Sequence, residues 1–278
     1  MSRATTLPEV PVRPAVRPAS ALTAAAVLLL TACGGTAGSA GAEAGAGTTT
    51  AAVPAAGEQF GYTGATGPGA WAQLDPEWSA CGTGEHQSPI DLGGATPAAQ
   101  SELGVSYVPG TAELVNTGAT VRADEAPGST LTVDGVGYEL TQFHLHEPAE
   151  HTVDGVRADA ELHLVHTAAD GSLAVLGVLL TEGAEDVALQ PYLDALPGTP
   201  GETSAPASVD PAALLPADHA TYRYTGSLTT PPCSEDVEWL VLQQPVSASA
   251  AQLAGFRAVI GENARPVQET GDRTVTVG

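Results

Sequence analysis

Gln142-Phe143-His144-Leu145-His146 and Ala160-Glu161-Leu162-His163-Leu164-Val165-His166 carry the two-residue period of β-strands rather than the longer period of helices. The first stretch puts Gln142, His144 and His146 on one face of a strand. The second puts Glu161 and His163 on one face, with Leu162 and Leu164 on the other. Two histidines from one strand and a third from its neighbour form the donor set of an open zinc site, with the last position left to water. Gln142 and Glu161 each stand two residues before a ligand histidine on the same face. They are placed to accept the second ring N–H and so fix tautomer and orientation. His166 has the opposite parity from His163 and is expected to be a hydrogen-bonding core residue. His86 and His219 lie among loop residues and are expected in solvent, while His151 fits either setting.

Outward from this pair, short β-type runs punctuated by Gly, Pro and Asp recur at 104–108, 130–133, 137–146, 160–167, 173–180, 222–224 and 238–242. Helical periodicity is confined to 184–195 and 248–260, the second with Ser247 or Ser249 as its cap. The expected fold is one mainly-β domain with a large sheet and a few short helices.

The 278 residues are 43% hydrophobic, enough for a sizeable core. Nine basic residues, all arginine, stand against 32 acidic ones, and the formal net charge of -23 argues against a nucleic-acid partner. All aromatic residues lie at or beyond Phe60, so no packed core begins earlier. Ahead of them, Arg3, Arg13 and Arg17 precede an apolar run from Ala21 to Leu30. That run is shorter than the roughly 20 residues of a spanning helix and has the pattern of an export signal. Its end, Leu30-Thr31-Ala32-Cys33, resembles the lipobox of bacterial lipoproteins. The expected organisation is therefore a lipoprotein signal peptide at 1–32, a flexible tether at 33–56 and a folded domain at 57–278. Lipid on Cys33 would hold that domain on the outer face of the bacterial cytoplasmic membrane, its only membrane contact, whereas an ordinary signal peptide with a chance cysteine would leave it secreted. With Cys33 used by the anchor, Cys81 and Cys233 remain as an even pair in an exported domain, and a disulfide between them is expected.

Several stretches together resemble the α-class carbonic anhydrases: 142–146, Glu150-His151-Thr152-Val153-Asp154, 160–166 and Ser227-Leu228-Thr229-Thr230-Pro231-Pro232. Gln87-Ser88-Pro89-Ile90, Ala174-Val175-Leu176-Gly177, Trp239 and Asn263-Ala264-Arg265-Pro266 extend the likeness from about Phe60 to Val267. The resemblance implies a large twisted, mostly antiparallel sheet with Zn2+ at the bottom of a conical cleft. It implies reversible hydration of carbon dioxide to bicarbonate and a proton. It also implies His144, His146 and His163 as zinc ligands, Thr229 as the hydroxyl that orients the attacking oxygen, and Glu150 as the acceptor of the Thr229 proton. Val165, Val175, Leu228, Val237 and Trp239 match the family's apolar wall, and Thr230 matches a position that meets bicarbonate. Bacterial members carry a cysteine pair at the positions of Cys81 and Cys233, in agreement with the expected disulfide.

Two positions depart from the family pattern. Phe60-Gly61-Tyr62 replaces the usual Trp-Gly-Tyr. Ala119 stands where fast members keep a proton-shuttle histidine, which implies slower turnover. Two rival readings stand beside this one. In a cupin, His144, His146 and Glu150 would hold iron or manganese, but the second motif of that family is missing. In a non-catalytic recognition domain the cleft would persist without chemistry, although such domains usually lose a zinc histidine.

Overall fold

Alternating apolar and polar side chains from residue 104 onward form short strands, and one sheet gathers all of them except Thr152–Val153 and Val156–Arg157, which pair with each other in a two-stranded sheet. The computed structural model describes residues 60–278, so the expected signal peptide, Cys33 and the tether lie outside the described residues. The main path of the sheet runs Thr96–Pro97, Thr276–Val277, Thr221–Ser227, Glu235–Leu242, Leu173–Glu182, Ala160–Ala168, Val136–His146, Val121–Glu125, Gly110–Asn116 and Ala207–Val209. Gly104–Ser106, Thr130–Val133 and Val246–Ala248 pair off this path. Most pairs are antiparallel. Leu173–Glu182, however, lies parallel to both Glu235–Leu242 and Val246–Ala248, and Thr96–Pro97 lies parallel to Thr276–Val277, so the sheet is mixed.

The central antiparallel pair sets the site. His144 lies opposite His163, and His146 opposite Glu161. A register shift between Leu140 and Gln142 inserts Thr141 as an extra residue, and its hydroxyl donates to the Val165 carbonyl. That bulge reverses parity. Leu140, Phe143 and Leu145 therefore enter one core, with Leu162, Leu164, Leu176, Tyr192 and Phe256, while Gln142, His144 and His146 face the other side. There Val165, Val175, Val237, Trp239, Val241, Ile90 and Leu92 form a second core. Cover on both faces explains why Ala160–Ala168 is buried at every position except Thr167.

A third cluster packs Trp71 and Leu74 around the Cys81–Cys233 disulfide, with Phe60, Tyr62 and Trp78 against them. It ties the short helices Trp71–Leu74 and Ala80–Thr83 to the loop that follows Thr221–Ser227.

Three expectations need correction. The helix expected at 184–195 is confined to Gln190–Asp194, because the Asp186 side chain accepts from the Ala188 N–H in a local turn and Pro191 suits a first helical turn. The helix expected at 248–260 starts two residues later, as Ala250–Ile260, and of its two expected caps Ser249 holds it, in a reciprocal box with Gln252. Strands Gly110–Asn116 and Val121–Glu125 lie where no strand was expected.

Candidate metal centre

Three histidines on adjacent strands can share an ion only if each ring keeps one nitrogen free and the free nitrogens converge. His144 Nδ1 bonds Gln142 Oε1 at 2.8 Å. His146 Nδ1 donates to the Asn263 carbonyl at 2.7 Å, and His163 Nε2 donates to Glu161 Oε1 at 3.0 Å. What remains is Nε2 of His144 and His146 and Nδ1 of His163, and the ligand atoms offered by the three lie within 4.8 Å of one another. His146 Nε2 is buried with no hydrogen-bond partner, a lone pair that a metal would satisfy. Burial first, then His146, His163 and the Arg122 guanidinium, holds His144 well below the ordinary histidine range. Burial lowers His146 to about 4 and lowers His163 as well. The rings are thus neutral, the state that metal ligation requires. The residues present fit zinc.

Partners behind the ligands are themselves fixed. Glu161 accepts from the Glu150 and His151 backbone N–H groups at 3.0 and 2.8 Å, and from His151 Nδ1 at 2.7 Å. Burial pushes the Glu161 carboxyl up, but the His151 and His163 rings prevail and hold it well below the usual carboxylate range. Gly177, opposite His163 in the next strand, leaves room for it, since a Cβ there would lie 2.9 Å from Glu161 Oε1. His151 Nε2 meets the Tyr224 hydroxyl at 2.7 Å, so both its nitrogens are committed and it serves Glu161 rather than the metal. His166 turns to the other core, bonded to the Tyr107 hydroxyl at 2.7 Å, as its parity implied. His86 and His219 are part-exposed and do not line the cleft.

Glu150 is fully buried, and one oxygen accepts from the Arg265 backbone N–H at 2.7 Å. Burial pushes its pKa up to about 7 against the opposing pull of His163, that N–H and the Thr229 hydroxyl. Its nearest approach to His146, 3.5 Å, is to Nδ1, the nitrogen turned to Asn263. The ligand atoms that converge belong to His144, His146 and His163 and not to Glu150, whose Oε2 comes no nearer than 3.9 Å to His163 Nδ1, contrary to the cupin reading.

Above the His144 and His163 rings opens a cleft of about 270 Å³. Val165, Val175, Leu228 and Trp239 form its apolar wall, with Thr229 and Thr230 beside them. Val237 does not line the cleft; it is buried in the core on that face. The opposite wall holds Phe60, Thr117, Ala119, Thr120 and Arg122, so Ala119 does stand in the cleft.

Sequence reasoning did not find Asn263 or Arg265 as site residues. The Asn263 side chain also donates to the Ala119 and Leu145 carbonyls. The buried Arg265 guanidinium donates to Gln87 Oε1 and to the Ser88 and Cys81 carbonyls. Both residues lie in a motif that was quoted for its likeness alone. Arg122 has no sequence signal either, because three charged residues in the five of Val121–Glu125 read as solvated loop.

The family model for eukaryotic-type carbonic anhydrase matches residues 66–278. A carbonic anhydrase from Nostoc is 43% identical over 223 residues, covering 78% of this chain and 84% of its own length. Among solved structures, the Thermovibrio ammonificans α-carbonic anhydrase in complex with sulfanilamide has a TM-score of 0.77 at 42% identity, covering 79% of this chain and 99% of that one. The Photobacterium profundum α-carbonic anhydrase has 0.75 at 39%, covering 78% and 100%. Sequence and overall fold agree across most of the length, and the chain belongs to the eukaryotic-type, or α, carbonic anhydrase family.

Proposed function

We propose that the domain catalyses the reversible hydration of carbon dioxide to bicarbonate and a proton, at a Zn2+ ion held by His144, His146 and His163. One observation carries this reading: three neutral imidazoles, each with one nitrogen tied to Gln142, Asn263 or Glu161 and the other left over, converge beneath an apolar wall. Zinc in such a site supplies Lewis acidity that brings the pKa of water to about 7, a value long established for carbonic anhydrase.

The chain's own residues do the rest. A Thr229 O–H directed to Glu150, whose Oε2 is buried with no other partner, leaves only lone pairs to offer the attacking oxygen, which fixes the direction of attack. Val165, Val175, Leu228 and Trp239 accommodate an uncharged linear substrate and keep water from it, while Thr230 meets the charge of bicarbonate. Among the described residues lining the cleft, no titratable side chain apart from the ligand histidines and Arg122 is at hand to carry the proton away. With Ala119 at the shuttle position, the proton passes directly to solvent buffer, and turnover is slower than in members with a histidine there. The composition of residues 1–56 supports export, with lipid on Cys33 as the membrane anchor.

Stopped-flow hydration of carbon dioxide, together with metal analysis, tests the reading. One zinc per chain and catalysis that is lost on chelation are expected. Iron or manganese in place of zinc, or a zinc-loaded protein that does not hydrate carbon dioxide, would overturn it.

A further inference from the structure

Positive charge is scarce in this acidic chain, and most of it is committed elsewhere. Among the described residues, Arg265 and Arg223 are buried against hydrogen-bond acceptors, Arg257 pairs with buried Glu147, and Arg273 donates to the Glu269 and Thr270 carbonyls. Arg122 alone among the described arginines lines the cleft. It is the strand partner of His144, and Asp124 is the partner of Gln142, so both charges stand on the same face as the histidines. Asp124 grips the guanidinium at two points, Nε to Oδ1 at 2.5 Å and Nη2 to Oδ2 at 2.9 Å. That grip fixes the plane of the fork. It engages two of the five N–H donors, and the side chain remains 44% exposed.

We propose that Arg122 is an anion-docking residue in the cleft wall, which holds a planar oxyanion, in the first place bicarbonate, beside the His144 position. The identity of that oxyanion rests on the reaction proposed above. A guanidinium fixed in plane matches two oxygens of a planar oxyanion in a way that a point charge does not. The need for it follows from charge. A chain of net -23 repels bicarbonate, and although Asp124 balances its charge, the Arg122 guanidinium keeps three further N–H donors for an anion at the cleft wall. The apolar wall opposite leaves uncharged carbon dioxide unaffected, so the two walls sort the neutral from the anionic partner of one reaction.

Acetate is a suitable probe because it has the same planar pair of oxygens and is not turned over. Its dissociation constant is measured by calorimetry on the zinc-loaded full chain. Arg122→Gln should weaken acetate about fivefold, the range of a part-exposed charged pair, and Arg122→Lys should recover only part of the loss. Unchanged acetate affinity in Arg122→Gln, with zinc content and fold intact, would overturn the proposal. If that variant fails to load zinc, Asp124→Asn decides: tighter acetate binding supports docking on the released fork, and unchanged or weaker binding overturns it. The heat of acetate binding does not depend on turnover. A wild-type chain that binds acetate through Arg122 yet does not hydrate carbon dioxide would reject the proposed reaction and leave the docking site standing.

Discussion

His146 is the imidazole most completely given over to one role, because Nδ1 is pinned to the Asn263 carbonyl and Nε2 lies buried with nothing to meet. His146→Ala should leave the sheet intact but strip the site of zinc and of nearly all hydration activity, as measured by metal content after dialysis against a weak chelator. Stoichiometric zinc with wild-type turnover would reject the ligand set. Ala119 supports a second expectation. If the proton leaves unaided, imidazole buffers should raise kcat to saturation while hardly changing kcat/KM, which reports steps before proton release. Ala119→His should reproduce the gain within the molecule. A rate that is already insensitive to added imidazole would show that another route exists. Strand parity was enough to read His144, His146, His163, Gln142 and Glu161 from the sequence. It could not supply Asn263, whose contribution is a backbone oxygen 117 residues from His146, because no side-chain pattern encodes a carbonyl. Nor could it tell which buried apolar residues face the cleft, and Val237 proved to lie behind it.

Among the elements, helix Ala250–Ile260 offers the clearest energetic test. Its first turn is closed by Ser249 and Gln252, and Phe256 is buried from that helix into the larger core. Ser249→Ala should cost about 1 kcal/mol through the lost cap, and Phe256→Ala about 3–5 kcal/mol through the cavity it leaves. Urea midpoints at unchanged slope would record both. A cost for Ser249→Ala indistinguishable from zero would mean that the box only decorates a helix held by packing. The strands that escaped sequence reading have a physical reason for doing so. Gly110–Asn116 turns Ala112, Leu114 and Asn116 inward, a small, a large and a polar side chain, so its alternation is weak. Val121–Glu125 carries Arg122, Asp124 and Glu125 in its five residues and reads as loop, because one of its faces belongs to a polar cleft rather than a core. The bulge at Thr141 was equally hidden, although it alone lets Leu140 and His144 occupy opposite faces.

At the scale of the whole molecule, the third cluster fastens the two ends of the site. Reduction of Cys81–Cys233 removes a cross-link that spans 152 residues, worth about 5 kcal/mol on the chain-entropy model, so Tm should fall by roughly 10 °C or more. An unchanged melting curve after verified reduction would show that packing around Trp71 suffices alone. For residues outside the described part, Cys33→Ser should release the protein from membranes, and mass spectrometry of the mature terminus would show whether lipid was ever attached. The same bond has a consequence for a damaged chain. His144, His146, Glu150, His163 and Thr229 all fall inside the covalent ring closed by Cys81 and Cys233. A nick by a protease at an exposed turn such as Gly198 to Gly201 opens that ring but cannot shed a fragment. The severed molecule would migrate as one species until a reductant is added, with every ligand still tethered to the others.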